Sequence, residues 1–123
     1  VLNFGHTIGH AIEASTKFGV AHGRAVAVGM VIESAVGVEL SITPKDVADH
    51  VAEVLRRYSL PTSIRELGTD ADVDKLLQAV ERDKKVRGNS IAMPLPTEIG
   101  SWQKYFVPIK TLKEVVLRCL RQT

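Results

Sequence analysis

A single cysteine among 123 residues leaves no partner for an internal disulfide, and Cys119 falls at an apolar-periodic position near the C-terminus, where a small buried hydrophobe belongs. That usage fits a reducing, cytoplasmic setting. Aromatic residues are scarce, at 5%, so the chain is poor in the rings on which single-stranded nucleic acid stacks. Charge of one sign is scarce too. The formal net charge is +2, and Lys and Arg alternate with Asp and Glu instead of forming a stripe that would track a phosphate backbone. Nucleic acid is therefore disfavoured as a partner. No apolar run is long enough for a bilayer, because the most apolar stretch, residues 25–40, carries Glu33, Ser34 and Glu39. There is no basic, then apolar, then small-residue leader and no initiator Met; a motif is already under way at Val1, which predicts a piece of something longer. Also missing is a G-x-G-x-x-G run after a strand, so no nucleotide cradle is expected within these residues.

What is present is mostly helical periodicity, and 45% apolar content is enough for one small domain with a modest core. Phe4, Ile8, Ala11 and Ile12 recur at helical spacing and predict a first helix over residues 2–17, ending near Phe18-Gly19. A second, over residues 22–40, is apolar almost all round, as an element enclosed by its neighbours would be. Gly29 and Gly37 inside it cost roughly 1 kcal/mol each against Ala, so each is expected to permit close approach of a backbone or ligand. Thr43-Pro44-Lys45-Asp46 reads as an N-cap, a first-turn proline and an acidic turn ahead of a stripe of Val47, Val51, Val54, Leu55 and Tyr58, closed by Pro61. A fourth stripe, Val73, Leu76, Leu77 and Val80, follows Asp70 and Asp72 and runs into Asp83-Lys84-Lys85. The period then changes. Ile91, Met93 and Leu95 alternate, residues 96–100 turn, and residues 102–107 return as a second strand, which makes a small β-hairpin. Leu112, Val115, Val116 and Cys119 form a last helix after Pro108. The expected class is mostly α, a multi-helix domain with a small β-hairpin.

Chemistry concentrates at the start. Three of the four histidines lie within the first 22 residues, in Asn3-Phe4-Gly5-His6-Thr7-Ile8-Gly9-His10 and in His22-Gly23. His6 and His10 are four apart, so on a helix both rings leave one face and can approach a common ligand. His22 opens the next helix, and a short loop could fold it back beside them. Three imidazoles suit a catalytic zinc, which commonly takes three protein ligands and keeps a position for water or substrate. Two histidines at this spacing are more often surface or hydrogen-bonded core residues than ligands; the clustering and the flanking glycines are what favour a ligand role for at least two of them. His50, alone on the polar side of its helix, is expected to be solvated. The zinc-protease helix motif does not apply, because Thr7 stands where its glutamate base would be.

The run Leu2-Asn3-Phe4-Gly5-His6-Thr7-Ile8-Gly9-His10-Ala11-Ile12-Glu13, then His22-Gly23 and Ala25-Val26-Ala27-Val28-Gly29-Met30, resembles the central signature of the 3-dehydroquinate synthases. Leu60-Pro61-Thr62, Asp83-Lys84-Lys85 and Ile99-Gly100 continue the likeness in order, so that it covers nearly the whole chain. The resemblance implies the C-terminal helical half of such an enzyme, packed against an N-terminal α/β domain that binds NAD. It implies that His6 and His22 bind zinc, or another divalent metal such as cobalt, with a third ligand, a glutamate, supplied by the N-terminal part. It gives His10 the catalytic contact to substrate or its phosphate, and gives Asn3 and the Lys84-Lys85 pair the binding of substrate. Without the motif that pair would read as a solvated helix end. One departure stands out: the family usually has glutamate after His-Gly, and here Arg24 takes that place. Either Arg24 points away, or it adjusts anion binding in a relative with a changed substrate.

The activity so implied is a phosphorus–oxygen lyase of the shikimate pathway, the cyclisation of 3-deoxy-arabino-heptulosonate 7-phosphate to 3-dehydroquinate with loss of phosphate, in a full-length homodimer. This segment alone is expected to be inactive. Two rival readings remain: a related sugar-phosphate cyclase or metal-dependent alcohol or glycerol dehydrogenase on the same scaffold, and a stand-alone helical interaction domain with incidental histidines. The last predicts no metal and an apolar face for a protein partner, whereas the enzyme reading gives that face to the N-terminal domain.

Overall fold

The computed structural model describes residues 4–16, 19–67, 73–83, 86–98 and 101–121. Among the described residues are five α-helices: α1 (His6–Ser15), α2 (His22–Glu39), α3 (Lys45–Arg57), α4 (Val73–Asp83) and α5 (Ile109–Arg121). A 3-10 turn, Ile64–Leu67, comes between α3 and α4 in chain order. Between α4 and α5 lie β1 (Val86–Arg87), β2 (Ser90–Glu98) and β3 (Ser101–Pro108), an antiparallel sheet in the order β1-β2-β3. The expected hairpin is thus β2–β3, with Ile91 opposite Val107 and Met93 opposite Tyr105; β1 adds two residues that period-2 reasoning is too coarse to find.

The second helix is the centre of the domain. It packs against α1, α3, α5 and β2, and Val28, Ile32 and Val36 on it are almost wholly buried, which is why its sequence is apolar on nearly every side. Leu76 and Val80 of α4, Ile91, Met93 and Leu95 of β2, and Leu112 and Val116 of α5 complete the same core. Ala92 and Pro96 are buried as well, so β2 is covered on parts of both faces. Because β1 pairs only with Ser90 and Ile91, the other edge of β2 is open beyond them among the described residues and tolerates Pro94 and Pro96. Cys119 is only partly buried; burial still pushes its thiol above the usual range. No described helix is long and apolar enough to cross a membrane.

Two helix ends differ from the sequence reading. The residue preceding α3 is Pro44, in extended conformation, and no side chain caps that helix. Thr43, read as the cap, is buried, and its hydroxyl donates to the Pro96 carbonyl of β2 while its side chain packs over Gly37. At the other end, α3 stops before Pro61. Ser59 takes the left-handed conformation (φ 58°), its N–H bonds to the Arg56 carbonyl, and Leu60 N–H bonds to the Leu55 carbonyl. That double bond is the Schellman stop, and α2 ends the same way at Ser41 (φ 60°), with Ile42 N–H on the Gly37 carbonyl.

Candidate metal and substrate site

Close backbone contact fixes the helix pair that carries the histidines. The first two helices run antiparallel: Gly5 lies beside Val26 and Met30, Gly9 beside Ala25 and Val26, and Glu13 reaches His22. At Gly29 a Cβ would collide with the Gly5 carbonyl oxygen and sit 2.7 Å from Gly9 N, so the close approach expected at that glycine is one of backbone to backbone. Gly5 has φ +83°, and a Cβ there would fall 2.5 Å from Met30 Cγ and 2.8 Å from the Val26 oxygen. A Ser, Thr, Asp or Asn cap is therefore excluded at the start of α1, and none is present. Glu33 of α2 does the work instead. Its carboxylate, 0% exposed, accepts the Gly5 N–H at 2.9 Å and the Ile8 N–H at 3.1 Å.

On that frame the three imidazoles converge. Ring centroids lie 5.3 Å apart for His6 and His10, 5.4 Å for His6 and His22, and 5.8 Å for His10 and His22. The expected convergence of the three rings is met. His6 is half-buried, with Nδ1 3.3 Å from the Phe4 oxygen, while His10 and His22 are exposed. Glu13 joins them, three residues beyond His10 and seven beyond His6 on one helix face, and its Oε1 lies 2.8 Å from His22 Nδ1. Donor atoms of His10, Glu13 and His22 fall within 4.8 Å of one another.

These groups fit a divalent transition metal. Imidazole and carboxylate are the donors that zinc and cobalt take. The 2.8 Å contact between Glu13 and His22 is shorter than the roughly 3.4 Å that separates two ligands on a tetrahedral zinc at ordinary bond lengths. It is therefore a hydrogen bond, the kind of contact by which an orienting carboxylate usually supports a ligating histidine through the ring's other nitrogen. Glu13 was not singled out in the sequence, although its spacing from both helix histidines carried the signal.

Asn3, Lys84 and Lys85 lie outside the described residues. Arg24 is exposed and donates to the Glu66 carbonyl of the 3-10 turn at 3.0 Å. Glu66 is itself held below the ordinary carboxylate range, chiefly by the Thr62 N–H and then by the Thr62 and Ser63 hydroxyls. His50 is exposed, as expected, but it also edges an apolar cavity of about 320 Å³ walled by Phe4, Met30, Val47, Val54 and Trp102. Phe4 and Trp102 stack there at 5.9 Å.

Residues 1–86 match the family model described as 3-dehydroquinate synthase C-terminal. Among named relatives, the chain is 48% identical over 121 residues to a 3-dehydroquinate synthase of Sulfurisphaera tokodaii, covering 98% of this chain and 34% of that protein. It is 41% identical to that of Streptococcus pneumoniae, covering 95% and 32%. The chain thus spans about a third of the length of these relatives. Among solved structures it resembles 2-deoxy-scyllo-inosose synthase complexed with carbaglucose-6-phosphate, NAD+ and Co2+, with a TM-score of 0.84, 24% identity and coverage of 95% of this chain and 34% of that one. It also resembles 2-epi-5-epi-valiolone synthase of Streptomyces hygroscopicus with NAD+ and Zn2+ bound, with a TM-score of 0.75, 23% identity and coverage of 94% and 31%. The fold is shared with those cyclases, and by the matched family and the near relatives the chain belongs to the 3-dehydroquinate synthase C-terminal family.

Proposed function

We propose that this chain is the metal- and substrate-facing part of a full-length 3-dehydroquinate synthase, which converts 3-deoxy-arabino-heptulosonate 7-phosphate to 3-dehydroquinate with loss of phosphate. The observation that carries it is the convergence of three imidazoles, 5.3 to 5.8 Å apart, on a helix pair fixed by backbone contact. An N-terminal domain binds NAD and supplies a carboxylate as third metal ligand; this segment alone gives no turnover. The apolar cavity edged by His50 belongs with that domain's docking face. The full-length enzyme is a cytoplasmic homodimer.

In this reading His6 and His22 hold the metal, zinc or cobalt. A metal so held supplies a Lewis acid that eases loss of a proton from a substrate hydroxyl. NAD supplies a transient hydride acceptor. The chain's own residues bind and orient. Glu13 accepts from His22 Nδ1 and so fixes the ring and the tautomer that turns Nε2 outward. His10, exposed beside both ligands, contacts the substrate or its phosphate. Asn3 and one of Lys84 and Lys85 hold the anionic ends, so that several steps occur on one positioned molecule.

Full-length enzyme with NAD+ and Co2+ or Zn2+ is expected to release phosphate from the heptulosonate phosphate and to form a cyclic 3-dehydro acid. Release of phosphate from a hexose 6-phosphate instead would favour the related-cyclase reading, which rests on Arg24 standing where the family has glutamate. Net reduction of NAD+ by a simple alcohol would favour a dehydrogenase. Glu13→Gln in the same enzyme is expected to weaken metal binding by about 10-fold to 100-fold in a chelator competition. Wild-type affinity there would reduce the Glu13–His22 contact to a surface pair.

A further inference from the structure

We propose that Glu33 is a positioning residue for the metal site: reaching from α2, its buried carboxylate caps α1 and sets the direction of His6 relative to His22. The inference rests on the metal role given above to these two histidines. It follows from what α1 cannot do for itself. A helix that starts at His6 leaves its first N–H groups without partners, and a side chain at the preceding residue normally accepts from the third helical position. Here that residue must be glycine, because Met30 and Val26 leave no room for a Cβ and φ is +83°. The other usual partner is a Glu or Gln at the third helical position that reaches back to the cap N–H. That position is Ile8, which is wholly buried in the core.

Glu33 performs both halves from another helix. Its Oε1 takes the Gly5 N–H, at 2.9 Å, and its Oε2 takes the Ile8 N–H, at 3.1 Å. These are the two donors that a local capping box would satisfy, and they bracket His6 in sequence. A carboxylate with no exposure is costly to bury unless its charge is answered. The two N–H groups and the positive end of the α1 dipole contribute to that answer. The same end would otherwise repel a dication held by His6, one residue into the helix, and the carboxylate offsets that field. Because Glu33 and His22 sit on one continuous helix, the cap ties the first turn of α1 to the element that carries the second ligand. A neutral cap would leave the field unopposed; the Glu33 carboxylate gives each N–H its own oxygen and offsets the field as well.

The test uses the full-length enzyme, Glu33→Gln and Glu33→Asp, with Co2+ as the probe. Glu33→Gln replaces one acceptor by a donor and removes the charge. It is expected to raise the Co2+ dissociation constant by about 10-fold to 100-fold, to alter the visible spectrum of the bound cobalt, and to lose kcat/KM that excess metal partly restores. Glu33→Asp keeps the charge but is one methylene short of reaching both N–H groups, and is expected to fall between Glu33→Gln and wild type. In unaltered enzyme, bound Co2+ is expected to slow amide exchange at Ile8, a readout that does not depend on either variant folding. A soluble variant with wild-type cobalt affinity and spectrum, or exchange at Ile8 indifferent to metal, overturns the proposal while leaving His6 and His22 as ligands. Failure of the unaltered enzyme to bind Co2+ stoichiometrically overturns both.

Discussion

Replacing His22 by alanine in the full-length enzyme is expected to remove the stoichiometric metal and to lower kcat/KM by about a thousandfold or more, roughly 4 kcal/mol of transition-state stabilisation. The fold should scarcely notice. The His22 side chain is 56% exposed at the first position of α2, and surface substitutions of that kind usually fall within about 0.5 kcal/mol in stability. A loss of activity without a loss of Tm would therefore be chemical in origin. Two companions make the result specific. His10→Ala is expected to keep the metal and lose turnover, since its ring is assigned to the substrate, whereas His50→Ala should change neither. If His10→Ala loses the metal and His6→Ala keeps it, the helix ligand beside His22 is His10 and not His6. If His22→Ala keeps both metal and turnover, the imidazole cluster is incidental and the enzymatic reading falls with it.

How far the sequence could be read depended on the distance over which each contact acts. The stripe of Phe4, Ile8, Ala11 and Ile12 and the all-round apolarity of residues 22–40 located α1 and α2 to within a few residues, because periodicity is a local record of burial. The i, i+4 spacing of His6 and His10, with His22 one loop away, foretold the convergence for the same reason. Thr43 misled because Thr-Pro-x-Asp suits a cap locally, while its hydroxyl is claimed by the Pro96 carbonyl 53 residues on. Ser41 and Ser59 end two helices in a conformation that glycine usually supplies, so the expected marker was absent. Glu33 is the clearest case. In the sequence it is only a charge that spoils a bilayer span; its partners, Gly5 and Ile8, are 28 and 25 residues away, and no window on the second helix contains them. The roles given to Asn3, Lys84 and Lys85 rest on the family likeness alone, and these residues lie outside the described ones.

Gly29→Ala is expected to destabilise the domain, against the direction that helix propensity gives. In a helix interior the change should gain about 1 kcal/mol, because alanine loses less backbone freedom on folding. Here the new methyl would collide with the Gly5 carbonyl oxygen and approach Gly9 N to 2.7 Å. Both are backbone atoms, so no rotamer change relieves them, and α1 must move as a body. Overpacking of this kind costs about 3 kcal/mol, sometimes more, which outweighs the propensity gain and leaves a net loss of about 2 kcal/mol. For a domain of this size that is a fall in Tm of about 8 °C. Gly23→Ala is the control, since a Cβ at that helical position meets nothing within 4 Å and should leave stability unchanged or raise it by up to about 1 kcal/mol. The displacement also carries Gly5 and Ile8 away from the Glu33 carboxylate, so metal affinity should fall with Tm in Gly29→Ala and remain intact in Gly23→Ala. A Gly29→Ala protein at least as stable as wild type, with its metal affinity unchanged, would mean that the helix pair adjusts freely and that backbone contact does not hold the histidines in place.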